Sequence, residues 1–183
     1  FTLATLADTA SVYGPCASAF GMDPLHASVE DAFGILTGRV QTVHSYGTWE
    51  KESLKTEEAP CVPYNLTEPL RIRSFLGEKE LAEGTGASEE LRFSGRLLGG
   101  CMDCLVNLLG TRFDRTDAFV EKYREDGIIW FLESCDLNVF AIRRAMWQME
   151  QAGWFQYAKG FLIGRPYCHG QEMMGLDQYQ AVL

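Results

Sequence analysis

The sequence predicts a layered α/β or α+β protein, and three observations lead to that class. Residues 127–134, GIIWFLES, and residues 160–166, GFLIGRP, are continuous apolar runs that are typical of buried strands. Between them, residues 138–152 place apolar side chains at helical spacing, and Gly153 then favours a helix end. Strands that alternate with helices in this way predict packed layers of helix and sheet.

Three further elements follow from local patterns. Residues 91–100 alternate as a strand that runs into a glycine turn, and residues 101–110, CMDCLVNLLG, then have helical spacing. Residues 28–38 predict a helix with Ser28 as its N-cap and Gly38 as its C-cap.

The ends and the middle of the chain have weaker secondary-structure patterns. Residues 1–11 present a helical face, residues 12–15 predict a short strand, and residues 175–183 predict a final helix. Residues 41–90 contain acid-rich patches, prolines and short β-prone runs, which indicate exposed short strands and loops. Because the chain begins and ends inside predicted helices, we expect it to be a piece of a longer protein.

Composition narrows the function classes. The 25 acidic and 16 basic residues give a net charge of −9, so we expect no nucleic-acid partner. No apolar run approaches the roughly 20 residues of a membrane span, and the first residues lack the features of an export signal. Six cysteines are too sparse for a disulfide scaffold, which favours the reducing cytoplasm.

The C-x-x-C pair formed by Cys101 and Cys104 has three interpretations. A zinc site needs four ligands, and no second pair with suitable spacing exists, so we expect no metal. A redox dithiol is favoured by a position at a helix N-terminus but opposed by the acidic Asp103 between the two thiols. The third interpretation is a pair of ordinary residues at the start of a helix, and it is the one we favour.

Glu133 is the strongest candidate for a functional residue. A carboxylate at the end of an apolar strand needs a partner or a function, because burying an unpaired charge is costly. Ligand sites of layered α/β proteins gather at the carboxyl ends of strands. The structural alternative is a pair with Arg143 or Arg144. Trp49 in SYGTWEK either lines a pocket or covers apolar surface.

Four segments together resemble the LD-carboxypeptidase family of serine peptidases, which includes the microcin C immunity peptidases. They are VYGP from Val12, SGRLLGGCMDCLVNLLGT from Ser94, IIWFLES from Ile128, and IRRAMWQMEQAGWFQYAKGFLIGRP from Ile142. Their order and spacing match the family across nearly the whole chain.

The resemblance implies a domain organisation. Residues 1–38 would be the end of a flavodoxin-like N-terminal domain that carries the nucleophile. Residues 39–90 would be a linker or substrate-loop excursion. Residues 91–183 would be a swivelling β/β/α C-terminal domain that is truncated at its end.

The resemblance also implies a Ser-His-Glu triad and no cofactor. Glu133 matches the family glutamate, whereas the serine would precede Phe1 and the histidine would follow Leu183. We therefore expect the parent protein to be a serine carboxypeptidase and this chain to be inactive alone. His169 lies too close to Glu133 in sequence to take the histidine's role.

The expected reaction is cleavage of an amide next to a D-amino acid in muropeptides, or of a peptide–nucleotide amide. These activities correspond to peptidoglycan recycling and microcin immunity in a cytoplasmic homodimer that acts on small peptides. The substrate-pocket candidates are Gly99, Gly100, Cys101 and Trp49. Cys101 stands where the family usually has Asn, and ESCDLN replaces the usual residues after the glutamate. The alternatives are a non-catalytic fragment or binding domain, and a C-x-x-C thiol protein.

Overall fold

The structure, a computed structural model, describes residues 1–84 and 91–183 of the chain. Two compact units are present. The sheet unit consists of residues 1–11 and 92–183, and the hairpin unit consists of residues 12–91. Residues 85–90, the end of the expected substrate-loop excursion, lie outside the described residues. The division into domains at residues 1–38, 39–90 and 91–183 stays a prediction.

Helices and strands alternate in the second half of the chain. The described α-helices are α1 (Thr2–Ala7), α2 (Ala27–Leu36), α3 (Met102–Leu105), α4 (Thr116–Lys122) and α5 (Val139–Gln151), with a short 3₁₀ helix at Ala17–Gly21. The strands are β1 (Thr48–Glu50), β2 (Leu66–Pro69), β3 (Ile72–Leu76), β4 (Lys79–Gly84), β5 (Arg96–Cys101), β6 (Ile128–Glu133) and β7 (Ala158–Ile163).

Three parallel strands form the sheet of the sheet unit, in the order β5-β6-β7. The apolar sequence IIWFLE places β6 in the middle, where most of its side chains are buried. Parallel neighbours need long crossovers, and helices α4 and α5 lie on those connections. The predicted mixed α/β class is confirmed.

The core of the sheet unit is built around two stacked tryptophans. Trp130 from β6 and Trp154 after α5 lie 5.9 Å apart between ring centroids, and both are fully buried. Met149 of α5 is also buried in this cluster. The predicted helix is fixed at its start by Asn138, whose side chain accepts a hydrogen bond from the Ala141 N–H at 3.0 Å.

The two glycines expected to form a turn lie instead inside β5, so the predicted turn is wrong. A Cβ on Gly99 would lie 1.8 Å from the carbonyl oxygen of Phe131 in β6. Glycine is needed there because two backbones approach closely, not because the chain reverses. Gly100 has φ +141°, a conformation that other residues rarely adopt.

The prediction of a buried strand at residues 160–166 is partly wrong. The strand exists as β7, but it begins at Ala158 and most of its side chains are exposed. β7 lies at the end of the three-stranded order, with β6 as its hydrogen-bonded neighbour. Apolar sequence predicted the strand, whereas its exposure depends on its place in the sheet.

Three predictions about segment ends are also wrong. Residues 12–15 have no regular structure, and residues 175–183 form turns rather than a helix. In the latter segment the Asp177 carboxylate accepts the Tyr179 and Gln180 N–H groups, as a helix N-cap does, but the residues that follow form turns. At α2 the N-cap is His26 and not Ser28.

The hairpin unit contains two antiparallel strand pairs, β1 with β2 and β3 with β4. Arg73 of β3 holds Glu80 of β4 through two hydrogen bonds of 2.7 Å. Short strands were expected in this region. Within the described ranges, no helix is long and apolar enough to cross a membrane.

Helix α1 is attached to the rest of the sheet unit at both of its ends. The Phe1 ring stacks on Trp154 with 5.0 Å between centroids. At the other end, the Asp8 carboxylate accepts hydrogen bonds from Lys122 Nζ and from the Tyr123 hydroxyl, each at 2.5 Å. These contacts fix one end of α1 against the residues after α5 and the other against the end of α4.

Replacing Gly99 with alanine should destabilise the sheet unit by about 3 kcal/mol or more, because the new Cβ would collide with backbone rather than with a movable side chain. Urea unfolding measures the change. The matched control is Gly21→Ala, where a Cβ would meet nothing within 4 Å. Equal stability of the two variants would contradict this account of β5.

The Asp8 contacts predict a pH-dependent stability. The hydrogen bond from Lys122, followed by that from Tyr123, lowers the pKa of Asp8 below 3.8. A lowered folded-state pKa stabilises the protein above the unfolded value and ceases to do so as the pH falls through the folded value.

Asp8→Asn should therefore lower the melting temperature at neutral pH, and its difference from wild type should shrink below pH 3.8. Calorimetry at several pH values measures this difference. Glu172→Gln removes an exposed carboxylate of the same unit as a control. A difference that stays constant with pH would exclude a role for the Asp8 charge.

Candidate active site

Glu133 lies at the carboxyl edge of the parallel sheet, beside the end of β5. It is the last residue of β6 and pairs in register with Cys101, the last residue of β5. On the other side, a Cβ on Gly164 would lie 3.0 Å from the Glu133 Cβ, so this glycine packs closely on the glutamate. The half-buried carboxylate thus stands where ligand sites of such sheets gather.

The structure brings four of the five predicted site residues onto neighbouring strands. Gly99, Gly100 and Cys101 are the last three residues of β5, next to Glu133 on β6. Trp49 belongs to the hairpin unit, where its indole N–H donates to the carbonyl of Pro69 at 3.2 Å. Their roles in a pocket stay predictions.

Asp103 is a residue of this region that the sequence interpretation did not assign to the site. One of its carboxylate oxygens accepts the Asp136 N–H at 2.7 Å, and the other accepts the Cys135 N–H at 3.0 Å. The second oxygen also accepts a hydrogen bond from the Cys101 thiol, with 3.3 Å between the atoms. An acid in the first turn of a helix that starts directly at a strand end was the available signal.

The segment after Glu133 is held from other directions as well. The carbonyl of Ser134 accepts the N–H of Tyr167 at 3.2 Å, and the carbonyl of Leu132 accepts the N–H of Gly164 at 2.8 Å. Ser134 itself is buried. Backbone contacts therefore fix the chain on both sides of the glutamate.

Comparison with protein families identifies the domain that contains this edge of the sheet. Residues 94–183 match the model of the LD-carboxypeptidase C-terminal domain. This part of the chain is an LD-carboxypeptidase C-terminal domain. The family resemblance predicted from the sequence is confirmed, and Glu133, Cys101 and Asp103 all lie within the matched residues.

Solved structures of the microcin C7 self-immunity protein MccF are similar in fold. The structure of its inactive mutant in the apo state has 14% sequence identity and a TM-score of 0.67. Its complexes with glutamyl sulfamoyl guanosine and with aspartyl sulfamoyl adenosine each have 15% identity and a TM-score of 0.69. Each match covers 99% of this chain and 50% of the MccF chain. A comparison with curated proteins found no significant match.

The carboxylate of Asp103 in the LD-carboxypeptidase C-terminal domain is stabilised in its charged form. Burial alone would raise the pKa of Asp103, but the backbone N–H groups of Asp136 and Cys135 and the thiol of Cys101 outweigh it, and the pKa lies below 3.8. A negative charge is therefore present beside the end of β6 at neutral pH.

The thiol of Cys101 is instead stabilised in its uncharged form. Burial, the hydrogen bond to Asp103 and the neighbouring Glu133 together raise the pKa of Cys101 to about 12. Because the thiolate is the reactive form, this cysteine is a poor nucleophile and a poor redox group. Among the described residues, no group of three or more His, Cys, Asp or Glu side chains is arranged to hold a metal ion.

Cys101 should react with iodoacetamide far more slowly than the exposed Cys104 of the same motif. Raising the pKa of Cys101 from 9.0 to about 12 reduces its own thiolate roughly 1000-fold at mildly alkaline pH, whereas the Cys104 thiol is exposed to the reagent. Mass spectrometry of the labelled peptides measures both rates, and unfolding in urea should make them similar. A fast-reacting Cys101 in the folded protein would revive the C-x-x-C thiol interpretation.

Proposed function

We propose that this chain supplies the acidic residue of a serine-type hydrolase, with Glu133 as the glutamate of a Ser-His-Glu triad. The domain belongs to an LD-carboxypeptidase family, and that membership supports a serine peptidase as the parent protein. The observation that carries the proposal is the position of Glu133 at the end of the central strand, at the carboxyl edge of a parallel sheet.

The chemistry of Glu133 in this proposal is electrostatic. Its carboxylate accepts a hydrogen bond from a histidine, selects the tautomer that can take the serine proton, and stabilises the imidazolium that forms. The charged Asp103 lies on the same edge and adds to a negative potential that favours a cationic partner. The serine and the histidine are assigned, by the family resemblance, to parts of the parent protein before Phe1 and after Leu183.

The substrate is proposed to be a small peptide derivative. Two amides fit the family: one next to a D-amino acid in a muropeptide, and one that joins a peptide to a nucleotide. The structures of MccF with glutamyl sulfamoyl guanosine and aspartyl sulfamoyl adenosine support the second. A cytoplasmic homodimer remains part of the same proposal.

In the complete parent protein, Glu133→Gln should lower kcat by roughly 100- to 10,000-fold, because an amide neither fixes the tautomer nor balances the imidazolium charge. Hydrolysis of a muropeptide tetrapeptide and of an aminoacyl sulfamoyl nucleoside should be measured separately, so that the preferred amide is identified.

Glu125→Gln is the matched control, since the Glu125 side chain is 88% exposed and lies well before the end of β6. Activity near wild type in Glu133→Gln would exclude the triad role. A complete protein that binds either compound without hydrolysing it would favour the non-catalytic alternative.

A further inference from the structure

The loop between β6 and α5 is the first segment of chain beyond Glu133. It begins directly after Glu133 and ends at Asn138, the N-cap of α5. The direction of a side chain on the last residue of a strand depends on the backbone on both sides of it, which for Glu133 means β6 and this loop. A shift of about 1 Å in a catalytic group can cost roughly 100-fold in rate, so this loop matters for the reaction.

Asp103 is the side chain that binds this loop. Both of its carboxylate oxygens accept backbone N–H groups of the loop, those of Asp136 at 2.7 Å and of Cys135 at 3.0 Å. Two bonds from one planar group fix both position and orientation, and bonds to a charged acceptor are stronger than neutral ones. Because these donors are backbone groups, the contact constrains the chain itself and not a mobile side chain.

The carboxylate is itself held at the required place. Asp103 lies in the first turn of α3, which begins immediately after β5, and β5 pairs with β6 in register up to Cys101 and Glu133. The Cys101 thiol donates to the same carboxylate at 3.3 Å. Asp103 thus connects the end of one strand to the loop that leaves its neighbour.

We propose that Asp103 is a positioning residue for Glu133, which fixes the loop of Cys135 and Asp136 and thereby the orientation of the glutamate. This inference rests on the proposed function, because it assigns Asp103 a role in the same reaction. Asp103 need not touch the substrate in this role.

The first test measures the loop without any assay of activity. In the complete protein, Asp103→Asn replaces one acceptor oxygen by an N–H₂ group, so hydrogen–deuterium exchange at Cys135 and Asp136 should become faster. Exchange in the strand interior at Ile129 should not change. Asp117→Asn removes an equal charge from the exposed start of α4 and should leave the loop protected. Unchanged exchange in the loop of Asp103→Asn would overturn the proposal.

The second test measures catalysis. Assayed well below the melting temperature of each variant, Asp103→Asn should lower kcat roughly 100-fold with little change in KM. In a Glu133→Gln background, Asp103→Asn should lower kcat little further, because Asp103 acts through the glutamate. An equal loss in both backgrounds, or wild-type kcat in Asp103→Asn, would overturn the proposal.

The activities of Glu133→Gln and of Asp103→Asn separate this inference from the proposed function. If Glu133→Gln is fully active, the triad assignment fails, and the inference that rests on it fails with it, whatever the exchange data say about the loop. If Glu133→Gln is inactive but Asp103→Asn is not, the positioning role alone fails.

Should Asp103→Asn not fold, Asp103→Glu keeps the charge, displaces it by one methylene group, and serves in both measurements.

Discussion

The close approach of β5 to β6 is the constraint on which the rest of the sheet unit depends. Gly99 lies so near the Phe131 carbonyl that no side chain fits between the strands. That approach sets the register in which Cys101 pairs with Glu133, and it brings α3 to the edge of the sheet where β6 ends. A glycine in the strand is thus the origin of the site's geometry, although it carries no functional group.

Charge at this edge is concentrated and organised by backbone groups. Asp103 keeps its negative charge because N–H groups of the following loop solvate it, in place of the water that burial removes. Glu133 lies one strand away on the same edge. Fixed dipoles of this kind need no reorganisation when a positive charge develops nearby, which is the property that an acid–base site requires.

The sequence predicted those features that are encoded locally. β6 was recognisable because a strand buried on both faces is apolar throughout, and α5 because its helical spacing and Gly153 agree with one another. Glu133 could be assigned to the sheet edge because the apolar run stops there.

Features that depend on distant contacts could not be predicted from the sequence. A glycine pair is compatible with both a turn and a close backbone approach, and only the neighbour Phe131 decides between them. The exposure of β7 depends on strand order, which the apolar pattern does not contain. Asp103 bonds residues 32 and 33 positions further along the chain. An acid in the first turn of α3 is visible in the sequence, but its distant partners are not.

The protonated Cys101 thiol has a consequence for chemical durability. Peroxides oxidise thiolates to sulfenic acid and further, and the thiol form resists this reaction. Partial burial and then the carboxylates of Asp103 and Glu133 raise the pKa of Cys101, so the thiol keeps its proton. A sulfur atom at this edge of the sheet is therefore less open to oxidation than a cysteine of ordinary pKa would be, because little of it is thiolate.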